Sequence, residues 1–298
     1  MNITVLGAGA IGSLWAYKLT EAGHNVSVWT KDSAQKLFSI RLDHDSAVQL
    51  TANSFDSLAQ SDLVLVTVKA WQVKDALLPL LDQIHSDTIL LFMHNGMGAV
   101  DDITTSIQHY PIVIATTTQA AFKPDAGHVM HTGAGETQLG AHNKAGEQCQ
   151  FLTDVLSHAL PKVIWNRNIR EALWNKLAIN CAINPLTAIK QIYNGELEND
   201  KYLPLLDKVI SEVSLVMQAE GISVNKESLL ATVLNVVKAT AKNQSSMQQD
   251  IYHKRRSEID YINGYLCRTA QRHSIDTPEN LKLYNQIKQI EQGWKHHE

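Results

Sequence analysis

Cysteine is scarce in this chain of 298 residues, and the three present, Cys149, Cys181 and Cys267, lie far apart. An odd count at such spacing excludes a disulfide framework and a zinc site, so core thiols are expected. His128 and His131 are the best remaining candidates for metal ligands. On an extended segment their odd separation directs them to opposite faces, and no metal is expected. Basic residues are not in excess, since the formal net charge is -4 and the basic clusters, Lys31 and Lys254-Arg255-Arg256, are short. A nucleic-acid partner needs a cationic face that releases counterions and is not expected. No apolar run reaches membrane-spanning length, and Met-Asn-Ile-Thr-Val shows no charged leader before an apolar stretch; a cytoplasmic protein without membrane contact is expected. Internal repeats and low-complexity segments are also lacking.

What remains is an ordinary globular composition, 44% hydrophobic and 19% charged, at a length that favours two units. Up to about Trp165, short β-branched runs alternate with helical patterns, the mark of a parallel sheet covered by helices. Strands are predicted at Ile3–Leu6, Val26–Trp29, Leu63–Val68, Thr88–Phe92, Ile112–Thr117 and Val163–Trp165. Val129-Met130 and Thr137–Leu139 read as an added antiparallel pair. Beyond Arg167 only helices are predicted, over Ile169–Ala182, Leu203–Ala219, Lys226–Ala241, Met247–Arg272 and Pro278–Gln292.

Gly7-Ala8-Gly9-Ala10-Ile11-Gly12 follows the first strand and opens a helix, the context in which three glycines signal a dinucleotide-binding turn. Gly7 serves the tight turn, Gly9 admits a pyrophosphate, and Gly12 allows the helix to pack on the strand. The fold class expected is therefore α/β: a Rossmann-type dinucleotide-binding domain over 1–166 followed by an all-helical domain over 167–298. An NAD site usually ends its second strand on an acid that accepts both ribose hydroxyls. Here the strand ends Val28-Trp29-Thr30-Lys31-Asp32, which favours NADP(H), with Lys31 and Thr30 facing the 2′-phosphate; a solvated lysine beside Asp32 is the alternative.

Lys69 and Asn95 follow the third and fourth predicted strands, and loops at that edge of an open sheet line the ligand crevice. For Asn95-Gly96 a simple turn is the competing reading. In the helix from Ile169, apolar residues point all round the axis, while Lys176, Asn180 and Asn184 recur every four residues as one polar stripe. Such a stripe needs partners or a wet cavity. It reads equally as a lysine snorkelling to the surface, with the asparagines lining a turn before Pro185. Ser245-Ser246-Met247-Gln248 reads as a helix N-cap with Gln248 closing a capping box, and Glu258 as a surface residue four after Lys254.

Together Gly7–Gly12, Lys69-Ala-Trp-Gln-Val73, His94-Asn-Gly-Met-Gly98, Thr116-Thr-Thr118, Glu171-Ala-Leu-Trp-Asn-Lys-Leu-Ala178, Asn180, Asn184-Pro-Leu-Thr187, Asn194-Gly-Glu-Leu197, Ser245-Ser-Met247 and Glu258-Ile-Asp-Tyr-Ile-Asn-Gly264 resemble the ketopantoate reductases (2-dehydropantoate 2-reductases). The resemblance spans essentially the whole chain. It implies an NADPH-dependent reduction of 2-dehydropantoate to pantoate on the route to pantothenate, with Lys176 as general acid and Glu258 in binding or catalysis. It also implies substrate contacts at Lys69, Asn95, Asn180, Asn184, Asn194 and Ser246. Cofactor contacts are implied at Gly7, Ala8, Gly9, Ala10, Ile11, Gly12, Lys31, Lys69, Asn95, Glu258 and, through its backbone, Ala121. Lys31 stands where the family often has arginine, which keeps the cation but not the bidentate fork. The rival readings are another NADP(H)-dependent hydroxyacid dehydrogenase or imine reductase of this architecture, and a non-catalytic NADP(H) redox sensor. Either a monomer or a homodimer is compatible with the sequence.

Overall fold

The structure, a computed structural model, describes residues 1–294 and divides into two compact units. One holds 1–94 and 99–169; the other holds 95–98 and 170 onward. The first is built on β1 (Asn2–Leu6), α1 (Ala10–Glu21), β2 (Asn25–Trp29), β3 (Leu37–Leu42), β4 (Val48–Ala52), α2 (Phe55–Ala59), β5 (Leu63–Val66), α3 (Val73–Leu77), β6 (Ile89–Phe92), α4 (Thr104–Ile107), β7 (Ile112–Thr117), β8 (Ala120–Asp125), β9 (His128–Gly133), β10 (Thr137–Ala141), α5 (Leu152–Ala159) and β11 (Val163–Trp165). Among the described residues the strands form one sheet in the order β11-β10-β7-β6-β5-β1-β2-β4-β3-β9-β8.

The centre of this sheet is parallel: β1 pairs with β2 and β5, and β5 with β6. β5 is Leu-Val-Leu-Val and wholly buried, as a strand covered on both faces must be. It ends two residues earlier than predicted, because Thr67 turns aside to close the glycine loop. Its N–H donates to the Leu6 carbonyl at 2.9 Å and its hydroxyl to the Gly7 carbonyl at 2.7 Å.

Two expectations about the sheet are corrected. The segments at Val129 and Thr137 do not pair with each other: β9 lies between β3 and β8, whereas β10 runs antiparallel to β7 and parallel to β11. The sheet is consequently mixed. The β3–β4 hairpin and β8 were not predicted; β3 buries only Phe38, Ile40 and Leu42 between exposed neighbours, too thin an apolar signal to stand out.

The second unit comprises α6 (Ile169–Lys190), which begins at the boundary, then α7 (Leu203–Ala219), α8 (Lys226–Ala239), α9 (Ser246–Tyr252), α10 (Asn263–Arg272) and α11 (Pro278–Trp294). α6 is its axis, burying Trp174, Leu177, Ala178, Cys181 and Ala182. At roughly 1.5–3 kcal/mol for each large side chain removed from water, this helix is held by burial, not by an amphipathic face.

α6 also runs straight through Pro185, so Asn184 does not line a turn before it. A proline in mid-helix leaves the carbonyl four residues back without its N–H donor. That carbonyl, on Cys181, accepts instead from Asn263 Nδ2 at 3.2 Å. The Asn263 amide also donates to Asn280 Oδ1 at 3.0 Å, and Asn280 Nδ2 to Glu212 Oε2 at 2.7 Å. Glu212 in turn accepts the backbone N–H groups of Glu279 and Asn280 at the start of α11. One buried polar chain thus joins α6, α7, α10 and α11.

The single helix predicted over Met247–Arg272 is in fact two. Lys254 takes a left-handed backbone (φ 51°) after α9, and Ser257 is clamped through its N–H and hydroxyl, 2.8 and 2.7 Å from Glu291 Oε1. The break buries Glu258, which was expected on the surface.

Candidate active site

In the first unit the glycine turn presents the end of α1 to an anion. Gly9 caps the helix without a side-chain hydrogen bond, and no acid occupies the first turn, so the leading N–H groups and the positive end of the helix dipole are uncompensated. A Cβ on Gly7, already at φ 106°, would stand 2.6 Å from Val68 Cγ1, and one on Gly12 would collide with the Gly7 carbonyl. A Cβ on Gly9 would meet nothing within 4 Å. The turn is closed on its inner side and open where a pyrophosphate needs to approach, so it fits a dinucleotide.

Beside it, Lys31 is exposed on a loop organised by Asn53, a residue the sequence did not single out. Asn53 accepts from the Thr30 N–H at 2.8 Å and donates to the carbonyls of Asp32 and Gln35 at 2.7 and 3.0 Å. It also donates to the Thr30 hydroxyl at 3.0 Å, which itself bonds within the loop. Thr30 is thereby committed internally and Lys31 is left as the available cation. Asp32 caps its own turn, accepting from the Ala34 N–H at 3.1 Å. Lys69 leads into the 3₁₀ turn Ala70–Gln72, its N–H donating to Gln72 Oε1 at 3.2 Å, and Ala121 lies opposite His131 on β8.

In the second unit Lys176 lies partly buried on α6. Desolvation lowers its pKa to about 8, against the opposing pull of the Glu258 carboxylate. Glu258 Oε2 accepts from Asn95 Nδ2 at 3.2 Å. Asn95 belongs to this unit because its loop is bound to the turn after Glu258: the Met97 N–H donates to the Tyr261 carbonyl at 2.8 Å, and a Cβ on Gly96 would strike that same carbonyl. Lys176, Glu258 and Asn95 are thus one electrostatic group.

Asn180 and Asn184 continue the same face of α6, and among the described residues neither side-chain amide has a hydrogen-bond partner, although Asn184 is buried. Asn194 stands on a separate 3₁₀ turn, its amide donating to Thr240 Oγ1 at 2.9 Å while its buried Oδ1 is unpaired. Ser245 is the N-cap of α9, accepting from the Gln248 N–H and lying 2.7 Å from Thr187 Oγ1 on α6. The expected capping box is incomplete, since Gln248 Oε1 is buried without a partner. Ser246, the next residue, is exposed.

An α/β unit with a dinucleotide turn and a helical unit with a desolvated lysine beside a carboxylate define a nicotinamide-dependent oxidoreductase. The chain belongs to the ketopantoate reductase PanE/ApbA family, whose model matches residues 3–144 and whose C-terminal model matches 168–291. It is 51% identical to a 2-dehydropantoate 2-reductase of Vibrio cholerae, covering 99% of both chains, and 42% identical to one of Shigella flexneri, covering 99% of this chain and 97% of that one. Among solved structures it resembles a ketopantoate reductase of Ralstonia eutropha (TM-score 0.88, 27% identity, 99% and 100% covered). It also resembles a D-mandelate dehydrogenase solved with NADH (TM-score 0.87, 25% identity, 98% and 99% covered).

Proposed function

We propose that the protein reduces 2-dehydropantoate to pantoate with NADPH, in the cytoplasm, using residues 1–166 to bind the dinucleotide and 167–298 to bind substrate. The observation that carries the chemistry is Lys176, a lysine with its pKa brought to about 8 and a carboxylate beside it. When bound, the reduced nicotinamide supplies a hydride to the ketone carbon. Lys176 holds the proton that the developing alkoxide requires, and its lowered pKa makes that proton easier to give up while leaving the ammonium the major form at neutral pH. Glu258 keeps the ammonium charged and is itself oriented by Asn95. Asn180 and Asn184 supply free amides along the same helix face to orient the substrate. Asn194 offers its unpaired oxygen to a substrate hydroxyl; Ser246 is the candidate for the carboxylate in this unit, and Lys69 the candidate in the other.

Lys31 favours NADPH, because it is an available cation where an NAD site would present an acid. The glycine turn, Lys69 and the Ala121 backbone are the further cofactor contacts of the first unit, and Asn95 and Glu258 those of the second. A second reading, reduction of a different bulky 2-keto acid, has support in the likeness to D-mandelate dehydrogenase. NADPH consumption with ketopantoate, pyruvate, 2-ketoisovalerate, oxaloacetate and phenylglyoxylate separates them: ketopantoate should give the highest kcat/KM, and preference for phenylglyoxylate overturns the first reading. No consumption with any of them would point to a sensor that binds without turnover.

A further inference from the structure

Lys123 on β8 sends its ammonium into the glycine turn, donating to the Ala8 carbonyl at 2.6 Å, with its charge 5.1 Å from the centre of the Phe38 ring. The Ser13 hydroxyl donates to the same carbonyl at 3.2 Å. Among the described residues no carboxylate pairs with Lys123. Its partial burial lowers its pKa, with Asp125 opposing from a distance. Here an incompletely compensated cation is held against a loop built for an anion.

We propose that Lys123 is a cofactor-positioning residue that prepares the turn for the pyrophosphate, an inference that rests on the dinucleotide reading above. The peptide unit is planar and trans, so its carbonyl and N–H point to opposite sides. Two donors clamping the Ala8 oxygen therefore aim the Gly9 N–H away from Lys123 and Ser13, at the residue where the turn is open. The ammonium also adds positive charge to the end of α1, acting on the phosphates that NADPH and NADH share.

The test is calorimetric titration of the full chain with NADPH, NADH and ADP-ribose, comparing the unmodified protein with Lys123→Met, Lys123→Gln and Lys123→Arg. Lys123→Met keeps an apolar stem on Phe38 but removes the donor and the charge; it should weaken all three ligands alike, by about tenfold, the scale of one charge-assisted contact. Lys123→Gln, a neutral donor, should fall between Met and the unmodified protein, and Lys123→Arg should recover most of the affinity. Unchanged affinities in Lys123→Met overturn the proposal, as does a loss confined to NADPH, which would assign the charge to the 2′-phosphate. Should Lys123→Met fail to fold, Lys123→Gln decides on the same terms. An unmodified protein that binds neither dinucleotide overturns the cofactor reading and this inference with it, whereas normal binding with unaffected variants overturns only the inference.

Discussion

At the residue scale the proposed chemistry turns on one proton, that of Lys176. Lys176→Ala should fold, bind NADPH and lose roughly 10²–10⁴-fold in kcat, the usual worth of a general acid. Lys176→Arg should also be poor, because a guanidinium does not release its proton and its fork cannot replace a compact ammonium. Near-normal kcat in Lys176→Ala, measured below its melting transition, would refute the assignment. The acid must be protonated to act, so kcat/KM should decline as pH rises through about 8. Glu258 raises the Lys176 pKa, so in Glu258→Gln that decline should move to lower pH; a limb that stays in place would separate Glu258 from the acid. Lys31→Ala should cost NADPH about 1–3 kcal/mol and NADH little, as expected for one charge-assisted contact. Equal losses for the two cofactors would remove Lys31 from the 2′-phosphate.

At the element scale the site depends on two interruptions that the helical pattern hides. α6 carries Lys176, Asn180 and Asn184 on one uninterrupted face because Asn263 supplies the donor that Pro185 lacks. The break between α9 and α10 exists because Ser257 is bound to Glu291 on α11, and that break delivers Glu258 to Asn95. Asn263→Ala should therefore destabilise by at least roughly 1–3 kcal/mol, the cost of a buried polar group left unsatisfied. Urea titration gives the value, and a loss under about 0.5 kcal/mol, the range of an ordinary surface change, would show the amide chain to be dispensable.

At the scale of the whole molecule, the two apolar cores are drawn from separate stretches. One runs from Ile3 to Val163, the other from Trp174 to Ile287. Calorimetry should accordingly resolve two unfolding transitions. NADPH at about 100 times its Kd adds ~2.7 kcal/mol to whatever binds it, which corresponds to roughly 5–10 °C in a unit of this size. The shift should fall mainly on the transition of the unit that holds the glycine turn. A single transition, or an equal shift in both, would show that the units unfold together.

The local features were legible in the sequence. Gly7–Gly12 follows a strand and opens a helix, which suffices to define the turn, and the spacing of Lys176, Asn180 and Asn184 defines their shared face, because both depend on backbone geometry between near neighbours. Assigning roles to Glu258, Asn194 and Ser246 took the family resemblance; periodicity alone put Glu258 on the surface. Only the tertiary structure decided that Asn53 organises the Lys31 loop, that Asn95 packs with the helical unit, that Asn263 compensates Pro185, and that Lys123 reaches Ala8. Each of these joins residues 23 to 163 positions apart by a few directional hydrogen bonds. A polar residue's own neighbours in sequence carry no trace of such a partner, whereas a buried apolar face repeats along its element and declares itself.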